Sequence, residues 1–335
     1  MHRRTFLTAA AAAGAASLLR SKRLVAAADY SGVKTGSYLT DLTTLATVEA
    51  PKIFTEGPCC NRAGTVYFTN TEASAIMRWD GKALSVFRQD ANAANGLLFD
   101  RSGRLVACEG KAGRVTRTDM STGAITVLCD QFEGKPLGGP NDLAFDAAGR
   151  IYFTSRMAPD APAGGNVNSV YRIDPDGRVT RVLHAPDIDM PNGIVTSPDD
   201  KILYLVESDG REGRKRRIVA YDLSADGTPT GGRTHVEFSP GRSGDGMAVD
   251  AEGNLYIAAG LHKTRGTSET LDTRPGIHVV TPVGKLVDFV ETPEDTLTNC
   301  RFGGEDLRTL YITSGSKLLS AKSRIPGKSL YRPEA

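Results

Sequence analysis

The sequence carries no charge excess of either sign: 41 Lys and Arg stand against 39 Asp and Glu in 335 residues, with neither a basic stripe nor an acidic tail. Nucleic acid is therefore excluded as the expected partner. Aromatic residues are few, at 7%. Past residue 28 no apolar run is long enough to cross a bilayer. GxSxG, Walker, GxGxxG and HExxH patterns are all missing, which leaves serine-hydrolase, nucleotide-binding and zincin chemistry without an anchor. The five cysteines, Cys59, Cys60, Cys108, Cys129 and Cys300, contain no CxxC pair, so no zinc knuckle is expected. They read as small buried residues, with a disulfide involving Cys59 or Cys60 left open.

What the chain does contain is glycine, proline and short β-rich runs. The first 28 residues stand apart: a charged start, His2-Arg3-Arg4, a small apolar run from Thr8 to Leu19, and a closing Val25-Ala26-Ala27-Ala28. This is the pattern of an export signal of the twin-arginine type, so a periplasmic or secreted location is expected, with no membrane association after its removal. The basic Arg20, Lys22 and Arg23 after the apolar run are unusual for such a signal and leave a retained anchor as the alternative. Removing residues 1–28 takes away five basic and no acidic side chains, leaving 36 against 39. Residues 29–335 are expected to form a single domain.

That body repeats. Six short strands follow turns, centred on Tyr67, Val106, Tyr152, Tyr204, Tyr256 and Tyr311, at spacings of 39, 46, 52, 52 and 55. After each of the first five comes a hairpin around a Gly-containing turn, at Asp80-Gly81, Thr122-Gly123, Asp176-Gly177, Asp226-Gly227 and Val283-Gly284. Units of about 50 residues holding four short strands are propeller blades. The expected fold class is all-β, a six-bladed β-propeller in which the centred residues mark the inner strands. The sixth unit is short, ending in a polar tail from about Ala321, so residues 38–48 are expected to donate its outer strand and close the ring between the termini.

A polar residue recurs 11 or 12 positions before each strand centre: Glu56, Asn95, Asn141, Asn192, Asp245 and Asn299. Equivalent positions are related by the ring axis, so these six should encircle the central channel. The bland alternative is six repeated turns, because Gly, Asn and Asp populate turns for backbone reasons. The glutamate in the first unit is not explained by turn chemistry. Oxygen donors suit a hard cation, Ca²⁺ first and Mg²⁺ second, with Zn²⁺ and Mn²⁺ as further alternatives. Glu56 and Asp245 would balance its charge while Asn141 and Asn192 add neutral dipoles, and positions remain for water and substrate. Asn95 and Asn299 complete the ring as substrate hydrogen-bond donors.

The stretches Glu56-Gly57-Pro58, Pro140-Asn141-Asp142-Leu143 with Ile151-Tyr152-Phe153-Thr154, Pro191-Asn192-Gly193, Gly244-Asp245-Gly246-Met247-Ala248-Val249-Asp250 and Asn299-Cys300-Arg301-Phe302-Gly303-Gly304 together resemble the SMP-30/gluconolactonase/LRE-like family over residues 50–315. The resemblance implies a divalent metal on the propeller axis and hydrolysis of sugar lactones. It puts metal ligands at Glu56, Asn192 and Asp245, makes Asn141 a fourth ligand or a substrate contact, and makes Asp245 the candidate base. The chain departs from the common pattern at Gly139, at Ser155-Arg156 and at Gly110 after Cys108-Glu109. The metal set is therefore intact while the residues that choose a substrate are not the usual ones. The small-molecule substrate expected is a sugar lactone, opened by water attack on a metal-polarised carbonyl. Ester or organophosphate hydrolysis, other chemistry on a sugar ring, and a non-catalytic binding propeller remain alternatives.

Loops Arg156–Ser169, Asp209–Arg217 and Leu261–Pro275 are candidates to close over the channel mouth. Asp174-Pro175-Asp176-Gly177 reads as a hairpin turn, His262 as surface or core, and Arg214–Arg217 as a solvated basic loop.

Overall fold

Turn chemistry sets where the strands end. In the first, second, third and fifth blades a glycine at φ 76–86°, namely Gly64, Gly103, Gly149 and Gly253, closes the turn between the first two strands. Its N–H bonds the carbonyl three residues back, on Asn61, Asp100, Asp146 or Asp250. The side chain of that same residue accepts the N–H of the residue just before the next strand, at 2.9–3.0 Å. Glycine reaches this left-handed conformation without the clash a Cβ would bring.

The computed structural model describes residues 29–157 and 165–329. The proposed export signal at residues 1–28, the middle of the 156–169 loop and the last six residues lie outside them. Six four-stranded antiparallel sheets stand around one axis. From the axis outward, the first blade runs Thr55–Cys60, Val66–Asn70, Ala75–Trp79 and Leu84–Arg88, and the second Ala94–Phe99, Leu105–Glu109, Arg114–Thr118 and Ile125–Cys129. The third is Gly139–Phe145, Ile151–Arg156, Ser169–Ile173 and Val179–His184; the fourth, Pro191–Thr196, Ile202–Ser208, Arg216–Leu223 and Pro229–Glu237. The fifth is Gly244–Val249, Leu255–Ala259, Gly276–Val280 and Leu286–Glu291. The first strand of each blade contacts that of the next around a closed ring. The chain is thus the expected six-bladed β-propeller, and all five expected hairpins form.

One detail of the expectation is corrected. Tyr67, Val106, Tyr152, Tyr204, Tyr256 and Tyr311 lie on the second strands, not the inner ones. The repeated aromatic is a packing residue between blades: Tyr152, Tyr204 and Tyr256 are fully buried, and each such side chain contributes roughly 1.5–3 kcal/mol by burial. The inner strands are those that carry the polar ring.

The sixth blade closes as expected. Leu297–Gly303, Thr309–Ser314 and Lys317–Lys322 are completed by Thr43–Thr47, with Thr43 opposite Ser320 and Thr47 opposite Lys317. Asp288 pins the approach to this strand by accepting the backbone N–H groups of Gly36, Tyr38 and Leu39 at 2.6–3.1 Å. The segment taken as a polar tail from Ala321 is instead structural. Ala321 and Lys322 end a strand, Arg324 N–H bonds the Tyr38 carbonyl at 2.9 Å, and Lys328 N–H bonds the Val249 carbonyl at 2.9 Å. A composition rich in Lys, Arg and Pro hides these backbone contacts, because the pairing uses main-chain groups that every residue has.

All five cysteines are free, four of them buried and Cys60 half-buried, so no disulfide forms at Cys59 or Cys60. The Arg214–Arg217 cluster is a solvated loop only in its first half, at Arg214 and Lys215. Arg216 is buried and donates to the carbonyls of Pro240 and Gly241 at 3.0 Å, and Arg217 bonds Glu207 at 2.6 Å. Alternation within a strand buries one side chain and not its neighbour, which a bare charge run does not reveal.

Candidate metal centre

Each of the six ring residues lies on the first strand of a different blade, near its start: Glu56, Asn95, Asn141, Asn192, Asp245 and Asn299. Each sits at or beside a break in the pairing with the second strand, such as that between Glu56 and Cys59 or between Gly244 and Met247. Such bulges re-aim a side chain at the point where the ladder is interrupted.

The glycines beside four of these residues are there for space. A Cβ on Gly57 would lie 2.2 Å from the Asn95 carbonyl oxygen, and one on Gly96 2.8 Å from that of Asn141. On Gly193 it would lie 2.4 Å from the Asp245 carbonyl oxygen, and on Gly246 2.0 Å from Asn299. Each glycine receives the ring residue of the next blade, so the ring is drawn tight around the axis. The Asn-Gly and Asp-Gly pairs are close-packing devices in strands rather than turns.

The side chains meet across the channel. Asn192 Nδ2 donates to Asp245 Oδ1 at 2.5 Å and to Ser208 Oγ at 3.3 Å, and Arg242 Nη2 donates to Asp245 Oδ2 at 2.6 Å. Arg242 is itself held by the carbonyl of Leu297 at 3.0 Å. Glu56 is buried with its carboxyl pushed well above the usual range, first by burial and then by Asp245 and Asp142 nearby. Asn299 hydrogen-bonds Glu56 and donates from Nδ2 to Asp142 Oδ2 at 3.3 Å, while its Oδ1 accepts the Cys300 N–H. Burial also raises the Asp142 carboxyl, against the pull of Arg301, whose Nη2 lies 3.2 Å from Asp142 Oδ1. Arg156, at the end of its strand, donates to Ser208 Oγ at 3.4 Å.

The donor set fits a hard divalent cation. Asn141 Oδ1 is buried without a hydrogen-bond partner, a costly state for an amide oxygen unless something not made of protein satisfies it. Turning the Asn192 amide over would bring Oδ1 to Asp245 Oδ1, an oxygen-to-oxygen approach that a shared cation makes favourable. With a cation between them Glu56 and Asp245 would supply two charges to oppose, the ion offsetting the burial and the repulsion from Asp245 that raise the Glu56 carboxyl in its absence. Among the described residues no group of three His, Cys, Asp or Glu is placed for a metal, which is the arrangement a zinc site would favour.

The ring residues differ in what their protein neighbours leave open. The half-buried Asn95 side chain has no hydrogen bond among the described residues, whereas the Asn299 amide is committed to Glu56, Asp142 and Cys300. Asn299 therefore holds acids in place. Sequence reasoning missed Arg242, whose signal is its place three residues before Asp245, and the Asp142–Arg301 pair, visible only as a charge within each of two ring motifs.

Other candidates fall away from the ring. Glu109, in the departure at Cys108-Glu109-Gly110, is fully buried and bonded to Arg88, Arg114, Thr116 and Asn92 at 2.6–2.9 Å, a structural hub. His262 is exposed and bonds the Thr292 carbonyl at 2.9 Å. Asp174 and Gly177 close a hairpin turn. Loops 209–217 and 261–275 are tied together through Ser268, which bonds Gly210 and Arg216 at 2.9–3.0 Å. A cavity of about 320 Å³ opens at the opposite mouth of the channel, among Leu98, Phe145, Val195, Phe302 and Arg301. It contains no ring residue, and Lys328 crosses it to Thr196 Oγ1 and Asp200.

Residues 54–316 match the model of the SMP-30/gluconolactonase/LRE-like region. A gluconolactonase of Zymomonas mobilis is 28% identical over 82% of this chain and 80% of its own length. Regucalcin of Xenopus laevis is 29% identical over 76% and 80%. Among solved structures, a gluconolactonase from Xanthomonas campestris described as important in glucose secondary metabolic pathways is 28% identical, with a TM-score of 0.71 over 84% of this chain and 89% of that one. On fold, ring motifs and the extent of the match, the chain belongs to the SMP-30/gluconolactonase/LRE-like family.

Proposed function

We propose that the protein hydrolyses a sugar lactone with the help of a divalent metal held by Glu56, Asn141, Asn192 and Asp245. The observation that carries this reading is the partnerless, buried Asn141 Oδ1 in the same ring as the Asn192–Asp245 contact. A bound cation, calcium first, with magnesium, zinc or manganese as alternatives, would supply Lewis-acid polarisation of the lactone carbonyl.

The chain's own residues do the rest. Asp245 is the base that orients and accepts a proton from the attacking water, and Arg242 at 2.6 Å fixes which carboxylate edge stays available. Glu56 contributes the second charge, held in place by Asn299. Asn95, whose amide is uncommitted, offers hydrogen bonds to substrate hydroxyls or to the developing oxyanion. The similarity to gluconolactonases of Zymomonas mobilis and Xanthomonas campestris supports the lactone, and the similarity to regucalcin supports the metal.

The test is hydrolysis of a panel of aldonolactones by chelated protein and by protein reloaded with each metal. Restoration by one divalent ion supports the reading. Stoichiometric metal binding with every lactone left intact overturns it.

A further inference from the structure

Two guanidinium groups stand at the ring with too few carboxylates to match them once a divalent ion is counted. Asp142 is taken by Arg301 at 3.2 Å, and Asp209 by Arg211, whose contacts run from 2.5 to 3.0 Å. Asp295 lies 3.6 Å from Arg265. The remaining acids, Glu56 and Asp245, would be balanced by the cation itself. Arg242 then shares Asp245 with the metal, and Arg156 has no carboxylate at all within ion-pair distance among the described residues.

Arg156 is partly buried, and its one hydrogen bond is a marginal 3.4 Å to Ser208 Oγ, the same atom that receives Asn192 Nδ2 at 3.3 Å. It is therefore one hydroxyl away from a proposed metal ligand. Its charge is felt by both Asp245 and Glu56. Arg265, on the 261–275 loop, lies within electrostatic reach of Arg242 and Asp245, with its own charge met by Asp295. A partly desolvated arginine without a carboxylate is costly to keep unless a ligand completes it, and its planar fork suits a carboxylate bidentately.

The geometry points to a substrate that is itself anionic: a sugar lactone bearing a second acid group, with Arg156 receiving that carboxylate. This rests on the lactone-hydrolase reading for the reacting end of the substrate, but the anion site stands on the arginines. Arg156 is a specificity residue at the site, and the neutral aldonolactones are the poorer substrates.

The experiment pairs ligands that differ by one acid group. Calorimetry of the calcium-loaded protein measures binding of galactarate and galactonate, and kcat/KM is measured for the corresponding 1,4-lactones, in wild type, Arg156→Gln and Arg156→Lys, each checked for an unaltered melting transition. Expected is a preference for the diacid of at least about tenfold, the size of one charge-assisted contact. It should fall to within about twofold in Arg156→Gln and be only partly kept in Arg156→Lys, which retains the charge without the bidentate fork. Equal binding of the two acids by wild type, or a preference untouched by Arg156→Gln, overturns the inference while leaving lactone hydrolysis standing. Arg156-dependent galactarate binding with both lactones unhydrolysed upholds the anion site and overturns the hydrolase reading instead.

Discussion

Asn192 and Asp245 are 53 residues apart in sequence and 2.5 Å apart in space, amide nitrogen to carboxylate oxygen, on neighbouring blades of the ring. The contact reports how tightly the axis is drawn. It also sets up a substitution: Asn192→Asp would put two carboxylates where a donor and an acceptor now meet. Like charges at that distance repel unless a cation lies between them. The chelated variant should melt at least about 1.5 °C below chelated wild type, the shift that ~1 kcal/mol gives in a chain this size, and calcium should recover most of the difference. Thermal denaturation with and without metal measures both.

The glycine packing makes a second expectation. In Gly193→Ala the new methyl would fall 2.4 Å from the Asp245 carbonyl oxygen, a backbone atom that cannot rotate away. The blades must part, at a cost of about 1–3 kcal/mol for overpacking, and Asp245 moves with its strand. Urea denaturation should show the loss, and calcium titration should show weaker binding from a substitution that removes no ligand.

How much of this was legible in the sequence differs by feature. The repeat was legible because each blade rebuilds the same strand and turn chemistry, and phase with that repeat was enough to gather six residues scattered from 56 to 299 around one axis. The phase did not say which strand they were on: the tyrosine at five of the six strand centres drew attention to the second strand, since a packed tyrosine is a stronger pattern than a bulged polar residue. Gly57, Gly96, Gly193 and Gly246 kept the repeated-turn alternative open, because a glycine that makes room for another blade looks the same in sequence as one that turns the chain. Arg242 was not read as a site residue although it stands three residues before Asp245, and Arg301 was not because Asp142, 159 residues away, gives no sequence sign of which arginine folds back on it. The ordered segment after Ala321 was missed for want of side-chain pattern, its ties being backbone bonds.

Acid sensitivity should trace in part to Glu109. Burial alone would raise its carboxyl, but Arg114, Arg88, Thr116 and Asn92 together outweigh that and hold it below the ordinary 4.5. A carboxyl lowered on folding adds stability that is present above the unfolded value and is lost as pH falls through the folded one. The loss therefore belongs below pH 4.5. Glu109→Gln should cost about 3 kcal/mol at neutral pH, because two arginines lose their buried partner, and should flatten the acid limb of a stability-against-pH curve measured by urea denaturation.

Ring closure should depend on Asp288. Three backbone N–H groups of the 36–39 segment end on its carboxylate, and Asp288→Ala strands them. A loss of about 2–4 kcal/mol follows from charge-assisted bonds of this kind. Limited proteolysis should then cut before Thr43 faster than in wild type, because the closing strand is released before the other blades open.

The central claim is that the axial ring holds a divalent ion on which lactone hydrolysis depends, with Asp245 indispensable to both. The most direct measurement is hydrolysis of an aldonolactone and of its diacid counterpart by chelated wild type and Asp245→Asn, before and after calcium is returned, with metal content determined on the same samples. Activity that returns with calcium in wild type, and neither metal nor activity returning in Asp245→Asn, is the result the account predicts. Full hydrolysis by the chelated wild type, or by an Asp245→Asn protein carrying no metal, would contradict it.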